Sequence, residues 1–157
     1  SGAVDGALGW DDSGLPVQPM AAEGARGHEI RPQSFERFDL APYEIAPGER
    51  AFGLRGAWME SYSGGGAYYT ALYLFAIVGG RLRQVLAAPM SAFQNIAGEW
   101  HEDGTRSHTI IDGDNLLIVS AQRTARHFDL IVENRTGPWQ RRFRWSAAAG
   151  MYRAGGG

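Results

Sequence analysis

Short apolar runs separated by turn residues are the feature that most constrains how this chain folds. From Ile30 onward no helical period of apolar residues lasts for three turns, and Pro, Gly and Asn interrupt the sequence at short intervals. This texture is typical of antiparallel β-structure, so the sequence predicts an all-β, mostly antiparallel sandwich or barrel of about eight strands. The strand candidates are residues 50–60, 68–78, 81–87, 106–112, 115–121, 127–133 and 139–145, with weaker ones near 35–40 and 95–101.

Two dipeptides of the kind that suits a tight turn indicate how these strands pair. Gly79-Gly80 follows the 68–78 candidate, and Gly113-Asp114 lies between 106–112 and 115–121. We expect a hairpin at each of the two dipeptides. Within 68–78, apolar side chains point to both faces, which predicts a central strand that is covered on both sides.

The first 27 residues differ from the remainder because they contain six glycines, two prolines and little periodicity. We predict an irregular arm over residues 1–27 and a single β domain over residues 28–157, a length that can bury its own core. Termini stay ordered only where something holds them down. Trp10, Leu15 and Val17 are the side chains that we expect to hold the arm against the domain.

Two residue types are missing, and each absence excludes a class of chemistry. The chain has no cysteine, which excludes thiol nucleophiles, disulfides and thiolate metal sites. All fifteen basic residues are arginine, so Schiff-base lysines and lysine-dependent phosphate loops are excluded as well. The net charge of -2 argues against a nucleic-acid partner. No apolar run reaches the ~18 residues that a membrane span requires.

His101, Glu102, Asp103 and His108 form a cluster with the side chains of a metal site or of a hydrolase. Their spacing matches no zinc signature, and alternation along a strand would direct neighbouring ligands to opposite faces. A turn at Asp103-Gly104 between solvated charges is the interpretation that we favour. No nucleophile elbow occurs either, so the sequence predicts no catalytic residue, no metal and no cofactor, and a hydrolase built on this cluster stays an alternative.

One loop carries a more specific motif. Residues 63–69 are Ser-Gly-Gly-Gly-Ala-Tyr-Tyr. This stretch resembles the Ser-x-x-Gly-Ala-x-Tyr loop of bacterial periplasmic lysozyme inhibitors of the chicken-type and membrane-bound class. It also resembles the shorter Ser-Gly-x-Tyr loop of their invertebrate-type counterparts. The matching positions are Ser63, Gly64, Gly66, Ala67 and Tyr69.

The resemblance implies a mechanism in which the loop enters the cleft of a lysozyme. A serine hydroxyl and a basic side chain then hydrogen-bond the catalytic carboxylates, and charge-assisted bonds of this kind are strong. In the family the cation is a lysine; here Arg81 or Arg83 would supply it. Ser63 would enter the cleft and Tyr69 would support the loop. The predicted partner-binding residues are Tyr62, Ser63, Gly64, Gly66, Tyr68, Tyr69, Arg81 and Arg83.

These observations predict a periplasmic or secreted bacterial protein that is not an enzyme and that inhibits a lysozyme or another peptidoglycan hydrolase. The target is either a host enzyme or a secreted effector of a rival, and in the second case the chain is an immunity protein. Two alternatives remain. The chain is a non-catalytic β module of a larger cell-envelope protein, or the glycines merely close a hairpin between strands 50–60 and 68–78.

Overall fold

The computed structural model describes residues 9–23 and 30–155. Eight strands form one antiparallel sheet in which each strand pairs with the next along the chain. Two short 3₁₀ helices, Trp10–Asp12 and Met20–Ala22, precede the sheet. The strands are β1 (Ser34–Ala46), β2 (Glu49–Tyr62), β3 (Gly65–Val78), β4 (Arg81–Trp100), β5 (Arg106–Thr124), β6 (His127–Asn134), β7 (Gln140–Ser146) and β8 (Met151–Ala154). The prediction of an antiparallel all-β fold with about eight strands is confirmed.

The strand boundaries differ from the predicted ones in the middle of the chain. The hairpin at Gly79-Gly80 is confirmed, since β3 ends at Val78 and β4 begins at Arg81. The predicted hairpin at Gly113-Asp114 is wrong, because β5 runs through both residues and pairs them with Ala92 and Ser91 of β4. Gly113 serves a different purpose: a Cβ at this position would lie 2.8 Å from Cδ of Pro16, where the N-terminal segment crosses the strand.

Strand β4 is likewise longer than predicted, since it unites the candidates 81–87 and 95–101. Pro89 lies inside it at a shift of register, where Ala71 of β3 pairs with Pro89 and the adjacent Thr70 pairs with Ser91. A bulge of this kind accommodates a residue that has no N–H to donate. The short final strand β8 has no counterpart among the predicted strands.

Strand β5 divides the sheet into two layers that pack on each other. Its first half, up to Asp114, pairs with β4, and its second half, from Asn115, pairs with β6. Strands β6 to β8 thereby cover one face of β2, β3 and β4, which we call the inner face. The core between the layers includes Leu72 and Leu74 of β3, Leu130 of β6 and Trp145 of β7. Burial of these large side chains is the main driving force for closing the two layers.

The opposite face of β2, β3 and β4, the outer face, is partly covered by the N-terminal segment. Trp10 is buried there with its ring 5.5 Å from that of Trp58 and 5.8 Å from that of Tyr69. Leu15 and Val17 pack against the same cluster, so the predicted role of these three side chains is confirmed. Residues 1–8 and 24–27 of the predicted arm lie outside the described residues.

The prediction that both faces of β3 are covered is correct for the stretch from Tyr69 to Leu74, whereas Ile77 near the end of the strand is 65% exposed. Leu72 and Leu74 belong to the inner core, while Tyr69 and Tyr73 belong to the outer cluster. In the described part of the chain, no helix has the length and apolarity that crossing a membrane requires.

Candidate functional site

The motif that resembles the inhibitor loop forms the turn between β2 and β3. Tyr62 pairs with Gly65, which leaves Ser63 and Gly64 as the turn itself. Ser63 is exposed, and Gly64 has a φ of +76°, a conformation in which other residues are strained. The Tyr62 hydroxyl donates a hydrogen bond of 3.2 Å to the carbonyl of Gly66. The turn therefore presents a serine hydroxyl to solvent from a closed, hydrogen-bonded hairpin.

The neighbouring hairpin packs closely against this turn. A Cβ at Gly64 would overlap the guanidinium of Arg106 and would lie 2.9 Å from Cβ of Ala97. A Cβ at Gly65 would overlap the carbonyl oxygen of Asn95. The glycines allow strands β4 and β5 to approach the turn closely, and the turn is consequently packed on one side.

In the described part of the chain, Arg106 is the cation that packs against the turn. Its Nε donates a hydrogen bond of 2.8 Å to the carbonyl of Gly98, and its guanidinium lies 5.3 Å from the ring centroid of Trp100. Trp100 is 70% exposed. The turn thus lies beside an arginine and a tryptophan, two of the residue types that contribute most to protein interfaces.

The turn between β4 and β5, residues 101–105, lies at the same end of the sheet and extends beyond the β2–β3 turn. Asp103 accepts hydrogen bonds from the Thr105 hydroxyl at 2.7 Å and from its backbone N–H at 2.9 Å, and these bonds hold the pKa of the Asp103 carboxyl below its usual range. Gly104 has a φ of +81°. The predicted turn at Asp103-Gly104 is confirmed. We call the two adjacent turns, 62–65 and 100–106, the double tip.

The histidines and acids of the predicted alternative cluster lie on this hairpin and face solvent. His101, Glu102 and Asp103 are exposed on the turn, and Nδ1 of His108 lies 3.0 Å from the side-chain oxygen of Asn95. Among the described residues no three His, Asp or Glu side chains converge where they would hold a metal ion. A polar groove of about 650 Å³ opens on the inner face, and none of the four residues lines it.

The structure brings together only some of the predicted partner-binding residues. Tyr62, Ser63, Gly64 and Gly66 lie at the double tip. Arg81 and Arg83 follow the opposite turn, and β3 places them roughly 40 Å from Ser63 at the usual rise per residue of a strand.

The two tyrosines of the motif lie on opposite faces of β3. Tyr68 is half-buried beside Glu36, and burial together with a hydrogen bond to that carboxylate raises the pKa of its hydroxyl to about 12. Tyr69 is buried in the outer cluster against Trp10, where burial likewise raises the pKa to about 12. Tyr69 thus anchors the base of the hairpin in the scaffold, whereas Tyr68 borders the polar groove.

Arg106 and Trp100 are the residues at the double tip that the sequence did not indicate. Their place depends on the register between β3 and β4, in which Gly66 pairs with Asn95. That register includes two shifts, near Pro89 and near Leu74, and the alternation of apolar residues does not fix their size. The chain matches no protein-family model, no curated protein and no solved structure.

Proposed function

We propose that this protein binds and inhibits a lysozyme-type peptidoglycan hydrolase by placing the β2–β3 turn in the cleft of the enzyme. The observation that carries the proposal is the exposed hydroxyl of Ser63 on a turn against which Arg106 and Asn95 pack closely. The Ser-Gly-Gly-Gly-Ala-Tyr-Tyr motif supports the choice of partner. The protein would act in the bacterial periplasm or after secretion.

Two polar groups at the turn have the chemistry that a pair of catalytic carboxylates requires. The Ser63 hydroxyl donates one hydrogen bond, and the guanidinium of Arg106 offers several donors that a carboxylate accepts in a fork. In this proposal Arg106 takes the role that the sequence motif gave to Arg81 or Arg83, because Arg106 contacts the turn and they lie at the other end of β3.

The packing of the turn favours tight binding. A run of three free glycines loses much conformational entropy when it is ordered by a partner. Here the neighbouring hairpin already restricts Gly64 and Gly65, so less entropy remains to be lost on binding. Trp100 would form the edge of the contact, and the exposed acids Glu99, Glu102 and Asp103 would attract a basic enzyme surface.

Inhibition assays test this proposal directly. Lysis of peptidoglycan by chicken-type, invertebrate-type, goose-type and bacterial effector lysozymes is measured against wild type, Ser63→Ala and Arg106→Ala. Arg81→Ala is the matched control, since it removes the same side chain from the opposite end of β3. We expect inhibition of one enzyme class and an inhibition constant about 10- to 100-fold weaker in each tip variant, the range typical of interface hot spots.

Two results would contradict the proposal. Wild type that inhibits no enzyme of the panel leaves the non-catalytic cell-envelope module as the better explanation of the fold. Inhibition that weakens in Arg81→Ala and not in Arg106→Ala would place the contact at the wrong end of the sheet. Thermal melts of all variants, followed by circular dichroism, separate a lost contact from a lost fold.

A further inference from the structure

The outer face carries a second surface feature, at the end of the sheet opposite the double tip. Strand register places apolar side chains of four neighbouring strands side by side: Phe38 is opposite Leu54, Phe52 is opposite Phe75, and Ile77 is opposite Leu82. We call this surface the aromatic face. Its members are Phe35, Phe38, Leu40, Phe52, Leu54, Phe75, Ile77 and Leu82.

The aromatic rings of this surface contact each other, and those of Phe38 and Phe52 are exposed while that of Phe75 is partly buried. The ring of Phe52 stacks on that of Phe75 at 5.7 Å, and the ring of Phe38 lies 6.3 Å from Phe52. Phe38 is 63% exposed, Ile77 65% and Leu40 90%. The described part of the N-terminal segment covers the neighbouring area around Trp58 and Tyr69. A connected row of exposed aromatic rings of this kind marks an interaction surface.

The size of the aromatic face matches one half of a stable protein interface. A fully exposed large apolar side chain presents about 150 to 250 Å². With the exposed fractions of its members, the aromatic face presents roughly 700 Å², close to the ~800 Å² that each partner contributes to an interface of standard size.

The charge of this surface indicates which partner it fits. Among the described strand residues that share the aromatic face, the charges are Glu44 and Arg50, which are opposite each other across β1 and β2 and cancel. The register directs Arg81 and Arg83 to the inner face, opposite Val78 and Ala76. This surface has no net positive charge that would attract an acidic peptide or an anionic membrane. A second neutral apolar surface would be complementary to it.

We propose that the aromatic face is the interface of a symmetric homodimer, in which the same surface of a second copy packs against it. A two-fold axis places one patch against its own copy, so a neutral apolar patch is complementary to itself without further adaptation. Two sheets pack face to face at about 10 Å, a distance that interdigitating Phe, Leu and Ile side chains fill. The double tip lies at the opposite end of β3 from the aromatic face and would not be part of this interface.

Sedimentation equilibrium of the full chain, from micromolar to several hundred micromolar, tests the proposal. We expect wild type to reach twice the mass of one chain. Ile77→Glu and Phe38→Glu should each raise the dissociation constant on the order of 100-fold, since each would bury an unpaired carboxylate in the interface. Ile110→Glu is the matched control: Ile110 is 53% exposed on β5, outside the aromatic face, and this variant should dimerise as wild type does.

Two outcomes would overturn the proposal. Wild type that stays monomeric at the highest concentration has no such interface. A dimer that persists unchanged in both Ile77→Glu and Phe38→Glu uses another surface, such as the outer edge of β1. Circular dichroism melts confirm that each variant is folded, so that a loss of association is assigned to the interface alone.

Discussion

The two glycine turns at the ends of β3 look alike in sequence and differ in structure. Gly64 and Gly65 belong to the β2–β3 turn, where added side-chain atoms would overlap Arg106 and the backbone of Asn95. Gly79 and Gly80 form the β3–β4 turn, where a Cβ on either residue would meet no atom within 4 Å. The first turn is packed against a neighbour, and the second stands in solvent.

This difference teaches that glycine content does not by itself indicate a flexible loop. At Gly80 glycine is favoured for its backbone conformation, since φ is +74° and no atom is near. At Gly65 φ is not positive, and glycine is needed for space. A functional turn that must keep its shape is expected to be of the packed kind.

Replacing a glycine with asparagine in each turn is expected to have the largest effect on stability. The two substitutions directly test whether one turn is packed and the other is not. Gly65→Asn should destabilise the fold by about 3 kcal/mol, because its Cβ overlaps a backbone carbonyl that no rotamer change moves away. Gly80→Asn should change stability by less than about 1 kcal/mol, since asparagine tolerates a positive φ. Urea unfolding measures both. Equal losses would mean that the β2–β3 turn is no more tightly packed than the other.

Removal of the Arg106 side chain, which lies beside the β2–β3 turn, should reduce stability by a smaller amount. Arg106→Ala loses the hydrogen bond to Gly98 and the contact with the Trp100 ring, which together stabilise the fold by about 1 kcal/mol. We expect faster amide hydrogen exchange at residues 63–66 and unchanged exchange at the β3–β4 turn. Arg81→Ala serves as the control. Unchanged exchange at 63–66 in Arg106→Ala would show that Arg106 does not hold the turn.

The smallest expected effect is a pH dependence of stability, which should be the same whichever of the two turns is mutated. Burial lowers the pKa of His127, whose ring stacks on Trp145 at 3.8 Å. The unfolded chain therefore takes up the proton first, near pH 6.5, and the free energy of unfolding should fall as the pH is lowered from 7 to 5. The loss should be the same in wild type, Gly65→Asn and Gly80→Asn.

His127→Gln should remove this part of the pH dependence, which urea unfolding at the two pH values measures. Glu49 lies 3.7 Å from Nε2 of His127 and favours protonation, so it limits the size of the effect. A larger pH dependence in Gly65→Asn than in Gly80→Asn would contradict the assignment to His127, which belongs to neither turn.

Much of the fold could be predicted because alternation and turn residues act locally. The hairpin at Gly79-Gly80 and the turn at Asp103-Gly104 follow from a few adjacent residues, and both are confirmed. Gly113-Asp114 has the same local signature and is part of a continuous strand. Its glycine makes room for Pro16, and buried Asn115 donates a hydrogen bond of 2.7 Å to the carbonyl of Ser13. Contacts between such distant residues leave no local pattern.

The same limit applies to the double tip. The exposure of Ser63 on a tight turn follows from the glycines and from the strands on either side. The approach of Arg106 depends on two register shifts between β3 and β4, near Pro89 and near Leu74, and on the pairing of β4 with β5, in which Trp100 is opposite Arg106. Arg81 is closer to Ser63 along the chain, whereas Arg106 is closer to the β2–β3 turn in space.

The strictly sequential pairing of the strands has a consequence for biosynthesis. Each strand pairs with the one made just before it, so pairing needs no long loop to close and can follow the emerging chain. The inner core is different, because Leu72 and Val85 are covered only when β6 to β8 have been made. A ribosome-bound chain that ends near Thr124 would therefore expose this apolar surface, and we expect chaperones to engage the nascent protein at that stage.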